Sequence, residues 1–169
     1  LNVTAFAPVT DARRVLTPVI KGGDRVLVLI EPTRGKARLG GSALAQCYGQ
    51  LGGEVPDVDE SRDLKALIEV ILDLNAKGIV SAYHDRSDGG LIVTLLEMAF
   101  AGRIGVDVDE NGIAELFAEE PGVGVEVLRD DLNALMARVE KAGLVARQVA
   151  VPRADDKVVI GNFESSRAD

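Results

Sequence analysis

Between residues 82 and 103 the chain reads AYHDRSDGGLIVTLLEMAFAGR, so His84, Asp85, Ser87 and Asp88 crowd together and are closed off by Gly89 and Gly90. The two aspartates offer hard carboxylate oxygens, the donors that Mg²⁺ prefers and shares with phosphates. A serine hydroxyl can donate to a phosphate oxygen, and a Gly-Gly pair lets a ligand oxygen come close to the backbone. Residues 91–101 are of helix length and apolar on nearly every side. The glycines therefore stand at a helix N-terminus, where unpaired N–H groups and the helix dipole favour an anion. The chemistry that suits this stretch is the holding of a metal-bound phosphate, with Asp85 or Asp88 on the metal and Ser87 on the phosphate. A plainer reading uses the same residues: Ser87 or Asp88 caps the helix and the glycines make a tight turn. His84 has no second histidine and no paired nucleophile, so it reads as a hydrogen-bonded residue at a strand end rather than a base.

The elements that must position this loop follow from hydrophobic periodicity. RVLVLIEP, from residue 25, is a continuous apolar run, the mark of a strand covered on both faces and stopped by Pro32. GGSALAQCYGQLGG spaces Leu44, Cys47, Tyr48 and Leu51 as a helical stripe expected in the core, with Gly52 and Gly53 as its stop. Gly40 and Gly41, ahead of that helix, form a second and weaker candidate ligand loop. From about residue 59 to 77, Leu64, Leu67, Ile68, Ile71 and Leu72 form one stripe of an amphipathic helix ended by Gly78. IVSAY is the strand that runs into the HDRSDGG loop.

Further on, GVDVD and VGVEVL read as strands and IAELF as a short helix. RDDLNALMARVEKAG is a helix with Leu132, Leu135, Met136 and Val139 on one side and Asp130 or Asp131 at its cap. LVARQVAVP and KVVIG read as a terminal strand pair around a turn at Asp155 and Asp156. That acidic pair and the pair Glu119 and Glu120 are both expected in solvated turns. Strands alternating with helices predict a single domain over residues 1–169, its sheet covered by helices.

Nineteen Lys and Arg against 27 Asp and Glu leave a net charge of −8 with no basic cluster. This argues against nucleic acid or an anionic membrane as partner, while a nucleotide held by backbone N–H groups and a metal remains open. The lone Cys47 allows no internal disulfide and no Cys-rich metal site, which points to a reducing, cytoplasmic setting; Cys47 itself reads as a small hydrophobe. The apolar run at 91–101 is too short to span a bilayer. The chain opens on Leu rather than Met, as expected of a piece excised from a longer protein or of a processed one.

AYHDRSDGGLIVTLLEMAFAGRIGVDVD closely resembles a segment of the phosphoribosylformylglycinamidine synthase family (formylglycinamide ribonucleotide amidotransferases) in its long, single-chain form. The resemblance continues through TAFAPVTDARRVLTP, RLGGSALAQCYGQLGGEVPDVD and AELFAEEPGVGVEV, and HDRSDGGL is its specific part. Aminoimidazole ribonucleotide synthetases and selenophosphate synthetases, which are wider relatives, carry a different Gly-rich version there. The resemblance implies a cytoplasmic ligase of purine biosynthesis that uses ATP and glutamine-derived ammonia to turn a formamide into an amidine. It implies that this chain is the C-terminal domain of the second of two aminoimidazole-ribonucleotide-synthetase-like copies, with the layered α+β fold of that domain. It also implies a share in an auxiliary site for Mg²⁺ with ATP or ADP, in which Asp85 matches a magnesium ligand and Ser87 a nucleotide contact. The other metal carboxylates, the catalytic first copy and the glutaminase belong to domains outside this chain. Cys47 does not match the glutaminase nucleophile, and no catalytic residue is expected here. Pro121 and the tail NFESSRAD depart from the family pattern. The competing expectation is a purely structural domain that packs against its neighbours; the two differ in whether Asp85 and Ser87 face a cleft.

Overall fold

The computed structural model describes residues 4, 6–9, 11–110 and 112–167. Seven strands, β1 (Arg25–Glu31), β2 (Val80–Asp85), β3 (Gly105–Val108), β4 (Val123–Leu128), β5 (Val145–Arg153), β6 (Lys157–Ile160) and β7 (Phe163–Ser166), form one sheet in the order β2-β4-β1-β5-β3-β6-β7. Neighbours are antiparallel except β3 and β6, which run parallel. The apolar run read as a doubly covered strand is β1. Its Val26, Val28 and Ile30 enter one core and its Leu27 and Leu29 the other, all fully buried. Helices α2 (Ser61–Ala76) and α5 (Leu132–Lys141) cover the first face through Leu67, Val70 and Leu74 and through Leu135 and Val139. Helices α3 (Gly90–Gly102) and α4 (Ile113–Phe117) cover the second through Leu91, Leu95, Met98 and Leu116. Each such side chain contributes roughly 1.5–3 kcal/mol of burial. The result is the expected α+β layered domain, with helices on both faces of a mixed sheet.

Helix α3 starts where only glycine fits. Gly90 has φ +74°, and a Cβ there would lie 2.7 Å from the carbonyl carbon of Phe117, so the end of α4 packs directly on the first turn. This fixes the HDRSDGG loop against the segment that follows α4.

Three local expectations are corrected. The stripe Leu44, Cys47, Tyr48 and Leu51 is not core: helix α1 (Ala43–Cys47) is barely one turn, Cys47 is exposed, and Tyr48 and Leu51 are 75% and 83% exposed. The chain turns at Gly49, where φ is +64°. In α2 the inward row is Leu67, Val70 and Leu74 beside the half-turn neighbour Ile71, while Leu64, Ile68 and Leu72 point outward. Helical period allowed either of two adjacent rows, and packing in the core that α2 shares with α5 and β2 chose the second. β5 and β6 do not pair, because β3 lies between them and Gly105 N–H donates to Asp155 O at 2.7 Å. Asp131 is the N-cap residue of α5, as expected, although a 3-10 turn, Arg129–Asp131, leads into the helix and no side-chain capping hydrogen bond forms.

Candidate functional site

Strand β2 delivers the site. Its ladder with β4 ends at Asp85 opposite Val123, and Arg86 N–H extends it by donating to Gly122 O at 2.8 Å. The Arg86 side chain then turns inward. Its Nε donates to the Glu120 carbonyl at 2.6 Å and its Nη2 to Glu31 Oε2 at 2.9 Å, with both side chains only 2% exposed. Burial pulls the Arg86 guanidinium below its ordinary pKa, and the adjacent Glu31 carboxylate opposes that pull. With Arg86 inside, its neighbours Asp85 and Ser87 are left outside, both exposed.

The Asp85 carboxylate is 63% exposed and lines a groove of about 330 Å³ with Leu67, Ile68, Tyr83 and Pro121. Ser87 and Asp88 are exposed but stand outside that lining. His84 stands near the end of β2, with Nε2 2.8 Å from Glu97 Oε2 on α3 and Nδ1 3.3 Å from Asp85 Oδ1. Burial pushes the Tyr83 phenol up, helped by the Asp85 charge.

The N-terminus of α3 is already served by the protein itself. Gly89 and Gly90 both have positive φ, Gly90 N–H donates to Ser87 O at 3.0 Å, and Gly89 N–H donates to Glu119 Oε1 at 2.8 Å. Neither Ser87 nor Asp88 caps this helix with its side chain, so the plainer reading fails in its detail. The same Glu119 oxygen accepts from Ala43 N–H, also at 2.8 Å, at the start of α1. Glu120 is fully buried and holds Arg38 in a two-pronged pair, Nε at 2.6 Å and Nη2 at 2.7 Å, and also accepts from the Arg38 backbone N–H at 3.0 Å. This carboxylate raises the Arg38 guanidinium above its ordinary pKa. The expectation that Glu119 and Glu120 lie in a solvated turn is therefore overturned, because cations and N–H groups from distant loops desolvate and satisfy them.

The loop at 38–42 is also closed on itself. Gly40 N–H donates to Glu54 O at 2.8 Å, Gly41 N–H to Leu51 O at 2.7 Å, and a Cβ on Gly40 would lie 2.5 Å from Glu54 O. Ser42 caps α1, accepting from Ala45 N–H at 3.2 Å.

What remains open for chemistry is a small set of exposed oxygens: the Asp85 and Asp88 carboxylates and the Ser87 hydroxyl. The two arginines nearest in the network, Arg86 and Arg38, are committed to Glu31 and Glu120, so neither is available to a bare phosphate. Among the described residues, no group of three or more His, Cys, Asp or Glu side chains could enclose a metal. The arrangement fits a magnesium ion bound by one carboxylate, completed by phosphates, water and ligands from another domain. Reading the sequence alone missed Arg38, Glu119 and Glu120. Glu120 and Arg38 are 82 residues apart, and no local pattern announces such a pair.

A family model described as AIR synthase related protein, C-terminal domain, matches residues 21–161. Among solved structures, PurLQS from Thermotoga maritima aligns over 94% of this chain with a TM-score of 0.74 at 18% identity. T. maritima PurL complexed with FGAR aligns over 93% with a TM-score of 0.74 at 17% identity. E. coli HypE, a hydrogenase maturation protein, aligns over 89% with a TM-score of 0.60 at 15% identity. The chain spans only 28%, 29% and 51% of those three chains. Identities this low establish a shared fold, in keeping with the sheet and helix layers described above. The family model covers most of the chain, including β1, the HDRSDGG loop and the Glu119 and Glu120 segment, and the chain accordingly belongs to the C-terminal-domain family of AIR-synthase-related proteins.

Proposed function

We propose that this chain is one domain of a larger, cytoplasmic, ATP-dependent ligase of purine biosynthesis. The reaction would be the glutamine-using conversion of formylglycinamide ribonucleotide to its amidine. In this reading the chain supplies part of an Mg²⁺–nucleotide site: Asp85 holds the metal, Ser87 contacts the nucleotide, and the remaining ligands come from other domains. The observation that carries the reading is the outward presentation of Asp85 and Ser87 on either side of the buried Arg86, with Asp85 at the rim of a groove. The solved PurL structures complexed with ATP, ADP and FGAR support nucleotide chemistry in proteins of this fold. Catalysis would be assembled on other domains, so the chain alone is expected neither to hydrolyse glutamine nor to form the amidine.

A second reading, an interdomain packing module without a ligand, is favoured by two observations. Glu119 already occupies the start of α3, and Leu64, Ile68 and Leu72 present an uncovered apolar row on α2. Thermal unfolding separates the readings. A ligand at 100 times its Kd stabilises by about 2.7 kcal/mol, several degrees for a domain of this size. Millimolar ADP with Mg²⁺ is expected to leave the melting temperature of the chain alone nearly unchanged. It should raise that of the larger protein by several degrees, and Asp85→Asn should reduce the rise. A several-degree rise in the chain alone would mean a complete site here, and a rise in the larger protein that Asp85→Asn leaves undiminished would leave the packing reading.

A further inference from the structure

Two Gly-rich loops, at 38–42 and 86–90, converge on one dipeptide. Glu119 Oε1 accepts the first backbone N–H of α1, from Ala43, and the Gly89 N–H at the start of α3, each at 2.8 Å. Glu120 holds the guanidinium of Arg38 through its carboxylate and that of Arg86 through its carbonyl oxygen. Each loop is thus gripped twice, once by its backbone and once by an arginine. The first loop is further braced by the contact of Gly40 and Glu54. Arg86 lies between Asp85 and Ser87 in sequence, so whatever fixes its side chain inward fixes the outward aim of both neighbours.

We infer that Glu119 and Glu120 are positioning residues for Asp85 and Ser87, and that they couple the 38–42 loop to the same site. The inference rests on the nucleotide reading above. Neither glutamate is free to meet a ligand; each acts through the loops it holds. This also gives the Gly40 and Gly41 loop a role: it is the far anchor of the clamp, not a second phosphate cradle.

The test uses the larger protein in wild-type, Glu119→Ala, Glu119→Gln and Asp85→Asn forms. Amide hydrogen exchange is read at Ala43 and Gly89, and affinity is read for ADP with Mg²⁺. Glu119→Ala should speed exchange at both amides together by about tenfold or more, while β1 and β4 stay protected. It should weaken Mg²⁺–ADP binding by about tenfold, the usual scale for residues that orient a metal ligand. Glu119→Gln keeps an oxygen that accepts both N–H groups and should restore most of both properties, whereas a merely structural residue would lower the melting temperature and leave affinity alone. Unchanged exchange at either amide overturns the clamp. Faster exchange with unchanged affinity, while Asp85→Asn abolishes binding, overturns the positioning role and leaves the nucleotide reading intact. If Asp85→Asn itself leaves affinity unchanged, the nucleotide reading fails and the positioning role falls with it.

Discussion

Glu119 with Glu120 and Asp155 with Asp156 are both acidic pairs between secondary-structure elements, yet Glu120 is fully buried while Asp155 and Asp156 face water. The difference lies in where the counter-charges come from. Asp155 is bound by Arg153, two residues away, through Nε and Nη2 at 2.7 Å each, a local fork that forms without any tertiary contact. Glu120 is bound by Arg38 from the far side of the sequence, and its pairing requires the loops around α1, β2 and α4 to be in place together. An exposed local pair adds little to stability, whereas removing one partner of a buried pair costs about 3–5 kcal/mol. Identical local chemistry therefore serves a turn in one case and organises a candidate site in the other.

The sharpest way to break this comparison is Glu120→Ala, which strands Arg38 and should destabilise by about 3–5 kcal/mol in urea unfolding. The double variant Arg38→Met with Glu120→Leu should recover a large part of that loss, since no uncompensated charge remains. Glu119→Ala removes the acceptor at two helix starts and should cost about 1–2 kcal/mol, the scale of a lost helix cap. Asp85→Asn, on an exposed carboxylate, should change stability by about 1 kcal/mol or less. A larger loss would mean that Asp85 is held for structure. The smallest effect belongs to Asp155→Asn. Arg153 holds the folded-state carboxyl down at about 2, against 3.8 ordinarily. Its contribution is therefore complete above the ordinary value and is lost as the pH falls towards 2. Urea midpoints of wild type and Asp155→Asn should differ slightly at neutral pH and converge between about pH 4 and pH 2.

The strands and long helices were legible because burial on two faces or one leaves a period in the residues themselves. β1 is a continuous apolar run and α3 is apolar all round, and both took the places their patterns implied. The α1 stripe and the α2 row misled for a common reason. Periodicity reports which residues share a face, not what covers it, and Leu64, Ile68, Leu72 and Leu51 remain exposed among the described residues. The insertion of β3 between β5 and β6 had no local signal, since strand order depends on which edges meet after the chain has turned back. At the site, Asp85 and Ser87 were visible as exposed oxygens beside glycines. Arg86 had no such signal: it is an interior residue because its partner Glu31 lies 55 residues away.

The sheet order carries a consequence for how the protein is made. β1, the most apolar strand, has β4 and β5 as its only sheet neighbours, with Val26 opposite Val127 and Val28 opposite Gln148. At roughly 5–20 residues per second, a ribosome delivers β4 some 5–20 s after β1 has emerged. Throughout that interval a six-residue run, Val-Leu-Val-Leu-Ile preceded by Arg25, has both hydrogen-bonding edges bare, a template for strands of other nascent chains. Yield in the cell should thus respond to synthesis rate and to chaperones that hold extended apolar segments, even for variants whose folded stability is unchanged.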